Sequence, residues 1–178
     1  VWWEDYQKDA PAYCEPATMD AEHMLYLLYT SGSTGKPKGI VHTTGGYLTG
    51  VTATMKYIFD LREEDTYWCT ADIGWVTCTS YGIYGPWTLG ITSVVLGGRF
   101  DPHRWYRTIQ SQRVTMWYSA PTAYRMLMSA GEAVAKPYDL SSLRHICSVG
   151  EPLNPEALRW IKQITGLAPH ETWWMTET

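Results

Sequence analysis

Residues 114–128 read VTMWYSAPTAYRMLM, and this stretch decides the class of fold. The β-branched, aromatic and apolar residues 114–118 predict a buried strand. Pro121 is suited to the first position of a helix, and Tyr124 and Met128, four residues apart, predict one apolar face on that helix. A strand followed at once by a helix is one βα unit.

The same alternation extends outward in both directions. Further strands are predicted at 24–29, 65–70, 92–96 and 143–149, and further helices after Thr43 or Thr44, at Pro102 and at Pro155. Such alternation is typical of an α/β fold with a largely parallel sheet, whose ligands bind at the carboxyl ends of the strands. Loops 30–39, 71–80 and 150–154 follow strands and are candidate site loops. The order of the strands cannot be deduced from the pattern.

Several side chains refine the predicted helices. Tyr47, Val51, Met55 and Ile58 recur at helical spacing, as do Trp105 and Ile109. Asp101-Pro102 and Asn154-Pro155 combine a capping side chain with a proline at the first helical position, and Gly166 is placed to end the last helix. We expect Asn154 to serve only as a cap.

Composition excludes several classes of function. The 178 residues carry a net charge of -4 with acidic and basic residues well mixed, so no basic stripe predicts nucleic-acid binding. No apolar run is long enough for a membrane span, and the first residues do not resemble a signal peptide. The four cysteines lack zinc-finger spacing and favour a reducing compartment, so we expect a cytoplasmic protein. The chain does not begin with methionine, and we expect it to start inside a longer one.

Residues 29–39, YTSGSTGKPKG, form the strongest local motif. Glycines let backbone N–H groups turn inward, four hydroxyls add donors, and Lys36 and Lys38 add positive charge, which together suit a polyphosphate. The kinase-type phosphate loop is excluded, because Thr30 stands where its first glycine is needed and Pro37 where its magnesium-binding hydroxyl is needed. A flexible glycine-serine surface turn is the alternative.

These residues resemble the signature loop of the adenylate-forming enzymes. Residues 41–47, 67–77, 148–156 and 171–178 resemble the acetyl-CoA synthetase branch of that superfamily, so the resemblance runs nearly end to end. It implies that a carboxylate, here acetate, attacks the α-phosphorus of ATP to give an acyl adenylate and pyrophosphate. The thiol of coenzyme A then displaces AMP and forms a thioester.

The resemblance also implies roles for individual residues. Lys36 and Glu177, with Thr176 at the α-phosphate, would take part in catalysis, and Glu177 would bind Mg²⁺. The β- and γ-phosphates would be held by Thr30, Ser31, Gly32, Ser33, Thr34, Gly35, Lys36 and Lys38. The two walls of the nucleotide site would be Gly150, Glu151 and Pro152 on one side, and Glu171, Thr172, Trp173, Trp174 and Met175 on the other. Glu151 as a solvated loop carboxylate and Trp173 as a core residue are the alternatives. His42 is expected to be structural rather than catalytic.

The acyl group would lie among Val76, Thr77, Val149 and Trp174. An indole at the pocket floor removes the volume that a longer acid needs, so acetate is expected to fit and butyrate to be excluded. Because one methylene is worth only about 1–3 kcal/mol, propionate is expected to be a weak substrate. Trp174 as an ordinary core residue is the alternative.

At two places the sequence departs from the family pattern, and parts of the family's catalytic apparatus are expected outside residues 1–178. Glu171 stands where relatives commonly have Asp, and Cys78-Thr79-Ser80 stands where close relatives often have Gly-His-Ser, which leaves open any coenzyme A contact from that loop. In the family, a ribose-binding aspartate and a mobile C-terminal domain follow this region. We therefore expect residues 1–178 to be a partial AMP-binding domain, incomplete at both ends and with negligible ligase activity alone. Adenylation for a carrier thiol and a non-catalytic nucleotide-binding fragment are the alternatives; the oligomeric state is not predicted.

Overall fold

The computed structural model describes residues 2–31 and 35–177. The strands are β1 Met24–Thr30, β2 Lys38–Thr43, β3 Thr66–Cys69, β4 Thr92–Ser93, β5 Met116–Ser119, β6 His145–Ser148 and β7 His170–Glu171. The helices are α1 Trp3–Gln7, α2 Thr44–Tyr57, α3 Val76–Cys78, α4 Gly85–Leu89, α5 Pro102–Gln112, α6 Pro121–Ala130, α7 Glu132–Ala135 and α8 Pro155–Thr165. A π-helical segment, Thr79–Tyr84, joins α3 to α4.

The main sheet has the order β4-β3-β5-β6-β7, and every neighbouring pair in it is parallel. All four residues of the central strand β5 are buried, because helices cover both faces of the sheet. The predicted α/β fold with a largely parallel sheet is therefore confirmed. The predicted strand over 92–96 is confirmed only at Thr92–Ser93, because Val95 is 88% exposed and the edge of the sheet ends there.

Two hydrophobic clusters hold the helices on the sheet. One cluster joins the sheet to α5, α6 and α8, and it includes Trp117, Ile109, Tyr124 and Ile161, all fully buried. Trp105 is partly buried against the same cluster, so the predicted shared face of Trp105 and Ile109 is confirmed. The second cluster covers the opposite face and is built around α2 and the π-helical segment.

Helix α2 contributes Tyr47, Val51 and Met55 to the second cluster, as its spacing predicted. The same prediction is wrong for Ile58, which lies one residue beyond the helix and is 47% exposed. Among the described residues, no helix combines the length and the apolar character that crossing a bilayer requires.

Strands β1 and β2 form a separate antiparallel hairpin, in which Thr30 pairs with Lys38 and Tyr26 with His42. The sequence predicted β1 but not β2. The hairpin shows that the glycine-rich motif connects two antiparallel strands, and α2 begins only after β2 ends.

The predicted helix starts are confirmed in position but not in every contact. Asp101 caps α5, because its Oδ1 accepts a hydrogen bond of 2.6 Å from the backbone N of Arg104. The expectation that Asn154 serves as a cap is wrong for its side chain, which makes no capping hydrogen bond; its Oδ1 is buried without a partner in the described chain. Gly166 ends α8 with φ +77°, as predicted.

A buried ion pair closes the amino-terminal edge of the sheet, opposite the candidate site loops. Asp65, just before β3, has a side chain that is 1% exposed and pairs with the guanidinium of Arg144, just before β6. The Arg144 Nε donates to Asp65 Oδ1 over 2.8 Å, and the Thr115 hydroxyl donates to the same oxygen over 2.6 Å. Since all three residues precede strands, this network ties β3, β5 and β6 together.

Candidate functional site

A cavity of about 500 Å³ lies where the hairpin, α2, the π-helical segment and the last described residues meet. Its walls include residues from β2, from α2 and from the segments that follow β3 and β7. These lining residues are Tyr26, Ile40, Val41, His42, Thr43, Gly46, Tyr47, Gly50, Val51, Thr54, Val76, Ser80, Tyr81, Trp174, Thr176 and Glu177. The cavity thus gathers Val76, Trp174, Thr176 and Glu177 from the predicted site.

The phosphate-loop motif contacts the wall of this cavity through Thr30. The Thr30 hydroxyl, at the end of β1, donates a hydrogen bond of 3.1 Å to Glu177 Oε1, across 147 positions of sequence. Gly35 has φ +78°, a backbone conformation that favours glycine, and so turns the chain back toward β2. Ser31, Lys36 and Lys38 are exposed around this turn. Gly32, Ser33 and Thr34 lie outside the described residues.

Glu177 is the carboxylate of this cavity, and Thr176 lies beside it in the same wall. Within residues 2–31 and 35–177, no three histidine, cysteine or carboxylate side chains are grouped closely enough to hold a metal ion by themselves. Magnesium is usually held by one or two carboxylates together with substrate phosphate oxygens and water. The Glu177 carboxylate, next to the hydroxyl of Thr30, therefore fits a magnesium that a nucleotide would bring with it.

The turn after β6 begins at Gly150, which has φ +93°. The side chain of Glu151 folds onto the start of α6, where it accepts hydrogen bonds from the backbone N and hydroxyl of Thr122 and forms a 2.8 Å ion pair with Arg125. The hydrogen bond from Thr122 and then that from Arg125 lower the pKa of Glu151. Because these partners hold the carboxylate, Glu151 is not a free loop side chain.

Glu171 and Thr172 join β7 to its neighbours. Glu171 Oε1 accepts a hydrogen bond of 3.2 Å from the backbone N of Leu153, which connects β7 to the turn after β6. The backbone N and the hydroxyl of Thr172 both donate to the carbonyl of Ser148, each over 2.9 Å. These bonds bring the predicted walls of the nucleotide site, 150–152 and 171–175, next to each other.

The two neighbouring tryptophans have different environments. Trp173 is 78% exposed, so it is not a core residue in the described chain. Trp174 is partly buried against the second cluster, with its ring 5.2 Å from that of Tyr81 at an interplanar angle of 90°. Trp174 lines both the 500 Å³ cavity and a second cavity of about 280 Å³, as do Thr54 and Tyr81. The next residue, Met175, is 46% exposed.

The four residues predicted for the acyl group are only partly brought together. Val76, in the first turn of α3, lines the 500 Å³ cavity with Trp174. Val149 is 4% exposed and belongs to the core cluster against which Trp174 packs. Thr77 is not among the residues that line the described cavity.

Sequence reasoning missed part of the cavity wall. The hydroxyls of Tyr47 and Ser80 are hydrogen-bonded over 2.6 Å and tie α2 to the π-helical segment. Tyr26 and His42 face each other across the hairpin, with rings 4.8 Å apart. His42 was missed because it lies in β2, a strand that was not predicted. Ser80 lies in the predicted candidate loop 71–80, but its contact with Tyr47 depends on the π-helical segment, which was not predicted.

Comparisons with known proteins agree with this geometry. A family model described as AMP-binding enzyme matches residues 2–178. The chain is 56% identical to the acetyl-coenzyme A synthetase of Bacillus subtilis, over 90% of this chain and 28% of the relative. It is 53% identical to that of Gemmatimonas aurantiaca, over 99% of this chain and 28% of the relative. That of Methanothrix soehngenii is 52% identical over 100% of this chain and 27% of its own length.

A solved structure is also similar to this chain. The crystal structure of an acyl-CoA synthetase from Brucella canis superposes with a TM-score of 0.88 and 32% sequence identity, covering 98% of this chain and 32% of that chain. The chain spans about 28% of the length of the curated relatives it matches. The predicted resemblance to acetyl-CoA synthetases is confirmed by these similarities, and the chain belongs to the AMP-binding enzyme family.

Proposed function

We propose that this chain is part of an AMP-forming acetate–CoA ligase. The observation that carries the proposal is the contact between Thr30 and Glu177, which joins the glycine-rich motif to a carboxylate at the wall of a cavity that also contains Val76 and Trp174. Phosphate-binding groups and an apolar wall thus meet at one place. The similarity to acetyl-coenzyme A synthetases supports the same activity.

In the first step, an acetate oxygen attacks the α-phosphorus of ATP and pyrophosphate leaves. Residues 30–39 would hold the β- and γ-phosphates with backbone N–H groups, hydroxyls and the positive charges of Lys36 and Lys38. Thr176 would contact the α-phosphate. Such catalysis consists mostly of positioning and charge stabilisation, which fixed donors beside a partly enclosed cavity supply.

Glu177 would hold Mg²⁺ together with the nucleotide phosphates. Bound there, magnesium would neutralise phosphate charge during the transfer. In the structure, the Glu177 carboxylate accepts from Thr30 and lines the cavity, so it is positioned before ATP arrives.

The nucleotide base would lie between residues 150–152 and residues 171–175. Since Arg125 and Thr122 hold the Glu151 side chain, the adenine contact from this turn would come from its backbone. Glu171 accepts from Leu153 and would keep the two walls together. The exposed face of Trp173 is available for the nucleotide.

The acyl group would occupy the part of the cavity next to Val76 and Trp174, with Val149 behind them in the core. The indole of Trp174, together with Thr54 and Tyr81, lines both this cavity and the 280 Å³ cavity. Extra methylene groups would meet this ring, which is fixed by its edge-to-face contact with Tyr81. This supports acetate over longer acids.

In the second step, the thiol of coenzyme A attacks the acyl carbon and AMP leaves. We assign no coenzyme A contact to the segment Cys78-Thr79-Ser80. The described cysteines are free thiols, which supports a location in a reducing compartment such as the cytoplasm.

Product analysis tests the proposal. The complete encoded protein is incubated with ATP, magnesium and acetate, with or without coenzyme A, and AMP and acetyl-CoA are quantified. The proposal predicts equal amounts of AMP and acetyl-CoA, formed only when acetate and coenzyme A are both present. Formation of ADP, or coenzyme A-independent turnover to AMP at the same rate, would exclude it.

A further inference from the structure

Two cysteines meet at the carboxyl end of β3. Cys69 is the last residue of β3, and Cys78 lies in the first turn of the continuous helical stretch from Val76 to Leu89. The loop between the two cysteines contains Val76 of the proposed acyl site.

Contacts around Gly82 place both sulfur atoms together. A Cβ built on Gly82 would lie 2.8 Å from Cys78 Sγ and 3.6 Å from Cys69 Sγ. Because Gly82 has no Cβ, the two thiols can lie against its backbone. The two sulfur atoms are therefore neighbours on the same side of the π-helical segment.

The contact with Cys69 favours a thiolate at Cys78. The hydrogen bond between the two thiols lowers the pKa of Cys78 to about 7, against the opposing effects of burial and of Asp72. The same hydrogen bond, together with burial, raises the pKa of Cys69. The start of a helix also stabilises a negative charge in its first turn, and the thiolate is the reactive form of cysteine.

Small molecules can reach the pair through a cavity of about 580 Å³, lined by Cys69, Cys78 and Gly82 among others. The other described thiols differ. Cys147 is fully buried, and burial raises its pKa to about 12. Cys14 is exposed in the N-terminal segment.

We propose that Cys69 and Cys78 form an oxidation site at which hydroperoxides convert the two thiols into an intramolecular disulfide. The site rests on the geometry of β3 and the helical stretch and does not depend on the ligase reaction. Its ligand class is small hydroperoxides, with hydrogen peroxide as the simplest member.

The chemistry balances in two steps. The Cys78 thiolate attacks one peroxide oxygen, the S–O bond forms, the O–O bond breaks, and the departing hydroxide takes a proton to become water. The Cys69 sulfur then attacks the sulfenic sulfur of Cys78, the S–S bond forms, and the S–O bond breaks. The hydroxide released takes the Cys69 proton and becomes the second water, so two thiols are oxidised and one peroxide is reduced.

Peptide mapping of the complete encoded protein tests the site. The protein is treated with hydrogen peroxide, blocked with iodoacetamide and digested with trypsin, which leaves Cys69 and Cys78 on one peptide, residues 63–99, without another cysteine. We expect that peptide to be about 2 Da lighter and unalkylated, and to regain two alkylatable thiols after dithiothreitol. Cys147→Ser should give the same result, whereas Cys78→Ser should leave Cys69 alkylatable.

Two outcomes would overturn the proposal. One is complete alkylation of Cys69 and Cys78 after peroxide treatment of the parent protein. The other is oxidation of each cysteine separately to the sulfinic acid, with no loss of about 2 Da from the peptide. Both outcomes are read from the parent protein, so they remain decisive even if a serine variant folds poorly.

Discussion

Replacing Trp174 with glycine tests how the cavity selects its acid. The indole lines both the cavity of about 500 Å³ and the cavity of about 280 Å³, so we expect its removal to join them. We expect the variant to accept butyrate, which the parent protein excludes. The change concerns a partly buried ring at the cavity wall, so the fold should survive it.

The magnitudes follow from burial. Butyrate has two more methylene groups than acetate, and burying each is worth about 0.8 kcal/mol, so the ratio of kcat/KM for butyrate over acetate should rise at least ~15-fold. Relief of the steric clash adds to this. Removing a fully buried aromatic ring costs about 3–5 kcal/mol; because Trp174 is only partly buried, we expect the variant to lose about 2 kcal/mol of unfolding free energy.

The assay measures kcat/KM for acetate, propionate and butyrate, together with urea unfolding of each protein. Trp173→Gly is the matched control, because Trp173 is the neighbouring residue but 78% exposed. We expect this control to raise the KM for ATP while leaving the butyrate-to-acetate ratio unchanged. A folded Trp174→Gly variant that still rejects butyrate would refute the assignment of Trp174 to the acyl pocket.

Four further predictions concern charge and hydrogen bonding. Glu177→Gln should reduce kcat for adenylation on the order of 100-fold, because its carboxylate is the proposed magnesium ligand; an unchanged kcat at saturating magnesium would contradict that role. Thr30→Val removes the hydroxyl that donates to Glu177, which is worth about 1 kcal/mol and should raise the KM for ATP about 5-fold, whereas a KM equal to that of the parent would show that the contact is not used. Arg144→Ala leaves the buried Asp65 carboxylate without its cation and should cost about 3–5 kcal/mol in urea unfolding, compared with less than about 1 kcal/mol for Arg62→Ala at the surface. Burial raises the pKa of Asp65, but its hydrogen bonds, that from Arg144 foremost, outweigh burial and lower the pKa below 3.8. The contribution of the Asp65–Arg144 pair to the free energy of unfolding is therefore complete above pH 3.8 and is lost as the pH falls through the folded-state pKa. A free energy of unfolding that stays constant through this acid range would contradict the prediction.

Local signals predicted most of the main sheet. The buried strands and the helix starts at Pro102, Pro121 and Pro155 each depend on residues within a few positions, so they can be read from the chain. The predicted cap at Asn154 was wrong because a side chain can have the right chemistry and still turn into a buried position.

The parts that sequence reasoning missed depend on distant contacts. Strand β2 forms because it pairs with β1. Its first residues, Lys38 and Gly39, belong to the glycine-rich motif, so the sequence predicted a loop there. The strand predicted over 92–96 is short because β4 has a partner on one side only. The contact between Thr30 and Glu177 spans 147 positions, and only the family resemblance suggested that the two residues belong to one site.

The most direct test of the central claim is acetate-dependent exchange of pyrophosphate into ATP by the complete encoded protein, with acetate and butyrate compared side by side. This assay isolates the first step and needs no coenzyme A. The account predicts exchange with acetate and none above background with butyrate. Exchange at equal rates with both acids would contradict the role of Trp174, and exchange with neither would contradict acetate activation.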